Sequence, residues 1–401
     1  MATGLTHTQC LYISLPIASV CLLVMIGMVR ATLASSSRDP THPIVYMQRN
    51  RPDSRSSERP MMIHLRCKNG VLLLQFTVGN GQRMEAVFDT GSENLIVAGS
   101  GCVGSEVCSS SNGYYDPMMT ELKEGRQTTI SYGTQKDVVK WYHETLKVET
   151  VEYKDSMLGV LLDRGEDDQE YIHNQESKTM IIDTANVGVV QTRTGSSNLN
   201  VFGFGKSAHP LSVRNTMLER IAKVFTMVVY RTTGWLVLGK LVRDGKHLDI
   251  PRIPMERDCY YKKYFCVALH DMQVVSRSGA SHACAHKPTY AIIDTGSNMM
   301  SVSTSLLSEL RLHGVAPTRD DVKIRVTLGR RSDGESPCVE CTYTTEDYST
   351  YGHLNIRDNL PFNKVHSANV LILGTLFMKD SIIEFDCEDH TIGWKQLSTT
   401  V

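Results

Sequence analysis

The sequence predicts an all-β protein of two related lobes that meet at a shared seam. Three observations predict it. The stretch AVFDTGSEN, with Asp89, Thr90, Gly91 and Ser92, returns half a chain later as AIIDTGSNM, with Asp294, Thr295, Gly296 and Ser297. Around both copies the chain reads as short β-rich runs bounded by glycine, such as VLLLQFTVGNG and NLIVAGSG. A length of 401 residues suffices for two separate cores.

The repeated stretch carries a chemistry. An apolar strand that ends in Asp-Thr-Gly-Ser sets a carboxylate at a tight turn, where glycine allows close backbone approach and hydroxyls can hold the carboxylate oxygens. One copy on each lobe brings the two aspartates together. Two carboxylates in contact do not both ionise readily, so one keeps a proton while the other is a base. A water held between them can be deprotonated as the neighbouring acid protonates a carbonyl oxygen, the combination that amide hydrolysis needs. Which aspartate holds the proton stays open at this level.

On these residues the chain resembles the pepsin family of aspartic endopeptidases, from about residue 70 to the C-terminus. The resemblance implies a bilobal pepsin-like fold, with the active-site cleft between lobes at 67–240 and 241–401. It implies Asp89 and Asp294 as the catalytic dyad, and Thr90 and Thr295 as braces between the two turns. Gly91 and Gly296 would keep those turns tight. Ser92 and Ser297 would hydrogen-bond the outer carboxylate oxygens. Peptide or protein substrates with apolar side chains flanking the cleaved bond, a mildly acidic working pH and a monomeric enzyme are expected, with no metal or organic cofactor.

Composition agrees with that class. The formal net charge is −1 and no dense basic run with interleaved aromatics occurs, so nucleic acid is not an expected partner. Eleven cysteines point to an oxidising compartment, and an odd number remains beyond Cys10 and Cys21. The uncharged, mostly apolar run from Leu11 to Val29, followed by Ala31-Thr32-Leu33-Ala34, reads as entry to the secretory pathway. Segment 1–34 fits a cleaved signal peptide or an uncleaved anchor, with cleavage preferred. A membrane is a partner only if the segment is an anchor. Residues 35–66 are polar, proline-punctuated and rich in arginine. They read equally as a disordered tether or as a short basic prosegment, in which a zymogen would hold its cleft closed.

In the first lobe, Cys102 and Cys108 enclose a small loop, followed by Tyr115-Asp116-Pro117 as in the family, and a disulfide between them is the preferred pairing; two unpaired loop thiols are the alternative. TTISYGTQ with Val138, Val139 and Trp141 beyond it reads as a β-hairpin. The resemblance makes this hairpin the flap, with Tyr132, Gly133 and Thr134 over the substrate. One departure stands out. Where the family carries a tryptophan that donates to the flap tyrosine, this chain has Ile96, which has no donor. Gln135 likewise stands where the family often has glycine, and Glu93 where it often has serine.

Residues 152 to about 179, with Glu166, Asp167, Asp168 and Glu170, read as a charged, solvated insertion. Asp183-Thr184 mimics the repeated motif, but Ala185 replaces the glycine, so an ordinary strand is expected. Val201-Phe202-Gly203 and Ile372-Leu373-Gly374 match the family's second half-motif, the strand of a loop through which each aspartate turn threads. SVRNTMLERIAKVF reads as a short helix with Val213, Met217, Ile221 and Val224 on one face. TMVVYRTTGWLVLGK reads as a strand pair leading to the crossover.

His282, Cys284 and His286 share a face if extended, and Cys338 and Cys341 add two sulfurs. Zinc is set aside because the usual paired spacing is absent. The rival to an endopeptidase is a catalytically weak or silent pepsin-fold protein that binds peptides or partners.

Overall fold

Apolar residues that recur at every second position put one face of a strand in a core. Gln135–Glu152 shows the alternation of burial, with the apolar Val139, Tyr142, Leu146 and Val148 and the polar Gln135, Asp137, Glu144 and Thr150 buried among more open neighbours. The computed structural model describes residues 44–46 and, within 60–397, all but 104–111, 118–121, 133–134, 163–170, 173, 195–198, 207–215, 320, 331–337, 351–352, 359, 362–365 and 367–368. The described chain is mostly β, with two β lobes.

The first lobe is built on Val71–Val78, Gln82–Asp89, Leu95–Val103, Gln135–Glu152, Ser177–Thr194 and Asn200–Gly203. Gln82–Asp89 runs parallel to Asn200–Gly203, which is antiparallel to Leu95–Val103. The second lobe repeats the parallel step, Tyr290–Ile293 beside Val370–Leu373. Its sheet also holds Cys266–Ser276, Val322–Leu328 and Val339–Tyr343. Between the lobes, Thr233–Leu238, Val224–Val229, Ser381–Asp386 and Thr391–Gln396 pair in that order, so the last two strands of the chain join a sheet rooted in the first half.

A row of aromatic rings ties the halves together below the aspartate turns. Phe88 and Phe204 contact Phe225, Phe225 stacks on Phe385 at 4.6 Å, and both Phe225 and Phe385 meet Phe265. All five rings are fully buried. Such edge and stacked contacts each add about 0.5–1.5 kcal/mol beyond area burial.

Several sequence expectations shift. The linker was expected to run to 66, yet Met61–Lys68 is a strand paired with Thr233–Leu238, because Met62, Ile63 and Leu65 bury against the core. Ile44–Tyr46, inside the same predicted linker, runs parallel to Thr179–Ile181. The predicted solvated insertion begins with a helix, Met157–Leu162, whose Met157, Leu158 and Leu161 pack with Tyr153, Ile172 and Trp235. Its acidic cluster lies outside the described residues. Asp183 and Thr184 fall in the strand Ser177–Thr194, but at a break in its register with Gln135–Glu152 where Thr184 takes a φ of 53°, so the expected ordinary strand is interrupted there. The interlobe helix spans only Met217–Ile221, capped by Thr216, whose Oγ1 accepts from Glu219 N; Val224 opens the next strand. The N-terminal apolar run and the segment's charges also lie outside the described residues. Among the described residues no helix is long and apolar enough to cross a membrane.

Candidate active site

Each aspartate sits where a strand gives way to a turn, Asp89 at the end of Gln82–Asp89 and Asp294 just after Tyr290–Ile293. The parallel partner strand threads each turn. Phe204 N donates to Asp89 O at 2.7 Å and Gly205 N to Ser92 O at 2.6 Å. In the second lobe Asp294 N donates to Leu373 O at 3.0 Å and Thr375 N to Ser297 O at 2.7 Å. Threading explains the glycine of the half-motif. A Cβ on Gly203 would lie 2.4 Å from Asn94 N, and one on Gly374 would lie 2.3 Å from Met299 O.

The two turns are locked to each other by their threonines. Thr90 N donates to Thr295 Oγ1 and Thr295 N to Thr90 Oγ1, both at 3.0 Å. Each hydroxyl then donates across the seam, Thr90 Oγ1 to Ile293 O at 3.0 Å and Thr295 Oγ1 to Phe88 O at 2.5 Å. Both side chains are fully buried, so a broken bond exposes its partner to no water. Thr90→Val strips Thr295 N of its acceptor and Ile293 O of a donor. It is expected to lower stability by about 2 kcal/mol or more, with Thr90→Ser close to wild type, as read from chemical denaturation.

The glycines face the opposite aspartate. A Cβ on Gly91 would lie 2.4 Å from Asp294 Oδ1, and a Cβ on Gly296 would lie 2.3 Å from Asp89 Oδ1. Neither glycine has a positive φ, so contact with the other lobe, not backbone conformation, requires glycine here.

The two carboxyl groups are held differently. Asp89 is 7% exposed, accepts from Gly91 N at 2.7 Å and from Ser92 Oγ at 2.6 Å. Asp294 accepts from Gly296 N at 2.9 Å. Ser297 departs from its expected role: its hydroxyl donates to Met299 O at 3.1 Å, and only its backbone serves Asp294. The local turn gives that hydroxyl a nearer acceptor. Asp294 therefore lacks the hydroxyl donor that supports negative charge on Asp89. Loss of hydration in the cleft and then the Asp89 charge push the Asp294 carboxyl well above the usual carboxylate range.

The predicted hairpin is present: Leu122–Tyr132 pairs with Gln135–Glu152, with Tyr132 opposite Gln135. Gly133 and Thr134 lie outside the described residues. Tyr132 packs on Ile96, Val139, Val190 and Val201. Its hydroxyl is enclosed and has no hydrogen-bond partner among the described residues, as the loss of a donor at Ile96 implies. Burial first, then the nearby Asp89 charge, hold its pKa well above the ordinary value. Beside it lies a group that motif reading missed. Arg193 and Asp137, both fully buried, pair through Nε to Oδ1 at 2.9 Å and Nη2 to Oδ2 at 2.8 Å, and Gln135 Nε2 also donates to Asp137 at 2.8 Å. The available signal was a charge at the end of the alternating run Val187, Val189, Gln191, Arg193.

Cys102 is disulfide-bonded, and Cys108 lies outside the described residues. Cys67, Cys259, Cys266, Cys284, Cys338, Cys341 and Cys387 are free thiols. The set-aside zinc ligands have other contacts. His282 stacks on His313, His286 Nδ1 pairs with Glu309 at 3.1 Å and Cys284 is buried. Among the described residues no cluster of three potential metal ligands forms.

A search of curated proteins finds no significant match. Among solved structures, the crystal structure of aspartic proteinase from Irpex lacteus is similar in fold. Its TM-score is 0.57 at 13% identity, over 85% of this chain and 98% of that one. The family model for eukaryotic aspartyl proteases matches residues 73–397. With a match over most of its length, the chain belongs to the pepsin-like eukaryotic aspartyl proteases, a family of peptide-bond hydrolases.

Proposed function

We propose that the protein is an aspartic endopeptidase in which Asp89 and Asp294 activate a water for attack on a peptide carbonyl. The observation that carries this reading is the reciprocal approach of each turn glycine to the opposite aspartate, which leaves two carboxyl groups face to face across the seam. Asp294, the carboxyl whose affinity for a proton is raised, holds the shared proton. Asp89 takes a proton from the water, and Asp294 gives one to the carbonyl oxygen, forming a neutral diol. The proton held on Asp89 then passes to the leaving nitrogen as the C–N bond breaks, while Asp294 takes a proton back from one diol hydroxyl, which leaves a carboxylic acid, an amine and the starting pair.

Tyr132, with Gly133 and Thr134, covers the bound peptide and excludes water. Subsites favour apolar side chains. The Arg-rich segment before residue 61 masks the cleft of a zymogen, the 1–34 segment directs the chain into the secretory pathway, Cys102 pairs with Cys108, and the enzyme works as a monomer.

The pH dependence of the rate tests whether the pair works with one shared proton. With one proton shared by the pair, cleavage is fastest at mildly acidic pH. It falls on the alkaline side as Asp294 loses its proton, and that limb lies above the ordinary carboxylate range because its pKa is raised. Initial rates on an unfolded polypeptide across pH 3 to 8 check it, and a rate that climbs steadily past neutrality contradicts it.

A further inference from the structure

Tyr132, Gln135, Asp137 and Arg193 share one face of the flap sheet. Tyr132 is paired across the hairpin with Gln135, and Asp137 is paired across the next strand boundary with Arg193. Positions two apart on a strand point the same way, and cross-strand partners do too, so all four side chains converge. The alternation confirms the shared face: Lys136, Thr192 and Thr194 are exposed, while Gln135, Asp137 and Arg193 are buried. Strand spacing leaves a gap that a tyrosine and an arginine on a common face can close.

Two groups on this face are unfinished. The guanidinium spends Nε and Nη2 on Asp137, and its Nη1 is buried with no partner among the described residues. The Tyr132 hydroxyl is the other, enclosed and equally without a partner among the described residues. Gln135 cannot serve the tyrosine with the amide hydrogen it already gives to Asp137, and Ile96 beneath the ring has nothing to give. A buried N–H and a buried hydroxyl on one face of a sheet are each costly alone and satisfy each other when joined. The charge of Arg193 already acts on Tyr132, in opposition to that of Asp89.

We propose that Arg193 is the positioning residue of the flap: its unpartnered Nη1 donates to the Tyr132 hydroxyl when the hairpin closes over a peptide, with Asp137 holding the guanidinium in place. Hydrogen bonds around a site commonly tighten in the substrate complex. The contact sets the height of the tyrosine ring over the paired aspartates and so the alignment of the scissile carbonyl. Arg193 touches neither substrate nor water in this role.

The inference rests on the endopeptidase reading, and a kinetic double-mutant cycle separates the two. Arg193→Lys keeps a positive partner for Asp137 but lacks the second forked nitrogen. Tyr132→Phe removes only the hydroxyl. On one unstructured peptide substrate, each single change is expected to lower kcat about tenfold with little change in KM, and the double variant to be no slower than the slower single. Losses that multiply in the double variant overturn the assignment while leaving the endopeptidase reading intact. The wild-type complex with a statine-type peptide decides the point even if Arg193→Lys fails to fold or the protein turns over nothing. Arg193 Nη1 within about 3.5 Å of Tyr132 Oη supports the assignment, and any longer separation overturns it.

Discussion

Asp294→Asn is expected to lower the cleavage rate by about a thousandfold or more, the scale of losing a general acid in the transition state. Asparagine copies the neutral carboxyl in shape, keeps an acceptor for Gly296 N and places no charge beside Asp89. It cannot deliver the proton. The fold should survive, and stability identifies the cause. A carboxyl whose pKa is raised on folding binds its proton more tightly in the native state. Its contribution is therefore fully present below the unfolded value and is lost as pH rises through the native one. Wild type should lose thermal stability across that window through this group, and Asp294→Asn should not. Thermal midpoints measured from pH 4 to 7 check it. A variant that becomes the less stable of the two as pH rises would place the proton elsewhere.

Gly296→Ala should cost about a hundredfold or more in kcat, although it adds a single methyl group at an exposed position. The added Cβ would stand 2.3 Å from Asp89 Oδ1 and 2.4 Å from its Cγ, well inside contact distance. Asp89 cannot step aside without breaking the bonds from Gly91 N and Ser92 Oγ. The lobes cannot part without breaking the buried threonine lock. Either response moves a carboxyl by a large fraction of an ångström, and the alignment of water and carbonyl fails. Gly159→Ala is the control, because Gly159 lies in the helix Met157–Leu162 with open space at its Cβ. It should leave the rate unchanged and add up to about 1 kcal/mol of stability. Equal rates for Gly296→Ala and wild type would mean that the two carboxyls do not act as a pair.

What the sequence could reveal depended on how local each determinant is. The aspartate turns were legible as a repeated short string, and the roles of their threonines and of the half-motifs ending in Gly203 and Gly374 came with the resemblance to the family that those strings carry. The hairpin at Tyr132 was legible from its own alternation. The Arg193–Asp137 pair was not, because it depends on the register between strands separated by the whole 153–176 connection. Ser297 was misjudged because a neighbouring carbonyl, Met299 O, competes for its hydroxyl, a detail no repeat of DTGS encodes. Met61–Lys68 and Met157–Leu162 were assigned to a linker and a loop by their charged surroundings. In each case a few buried methionines, leucines and isoleucines decide the outcome by packing on distant strands.

The central claim is that this pair of aspartates hydrolyses peptide bonds, and one digestion tests it most directly. Purified protein spanning 35–401, with a companion trimmed to begin at Pro60 ahead of the first strand of the body, is incubated with an unfolded polypeptide at pH 3 to 8, with and without a statine-type transition-state mimic. Cleavage at acidic pH that the mimic abolishes at one equivalent per protein is the predicted result. Folded protein that cuts nothing at any pH, trimmed or not, would contradict it and leave a pepsin fold that only binds.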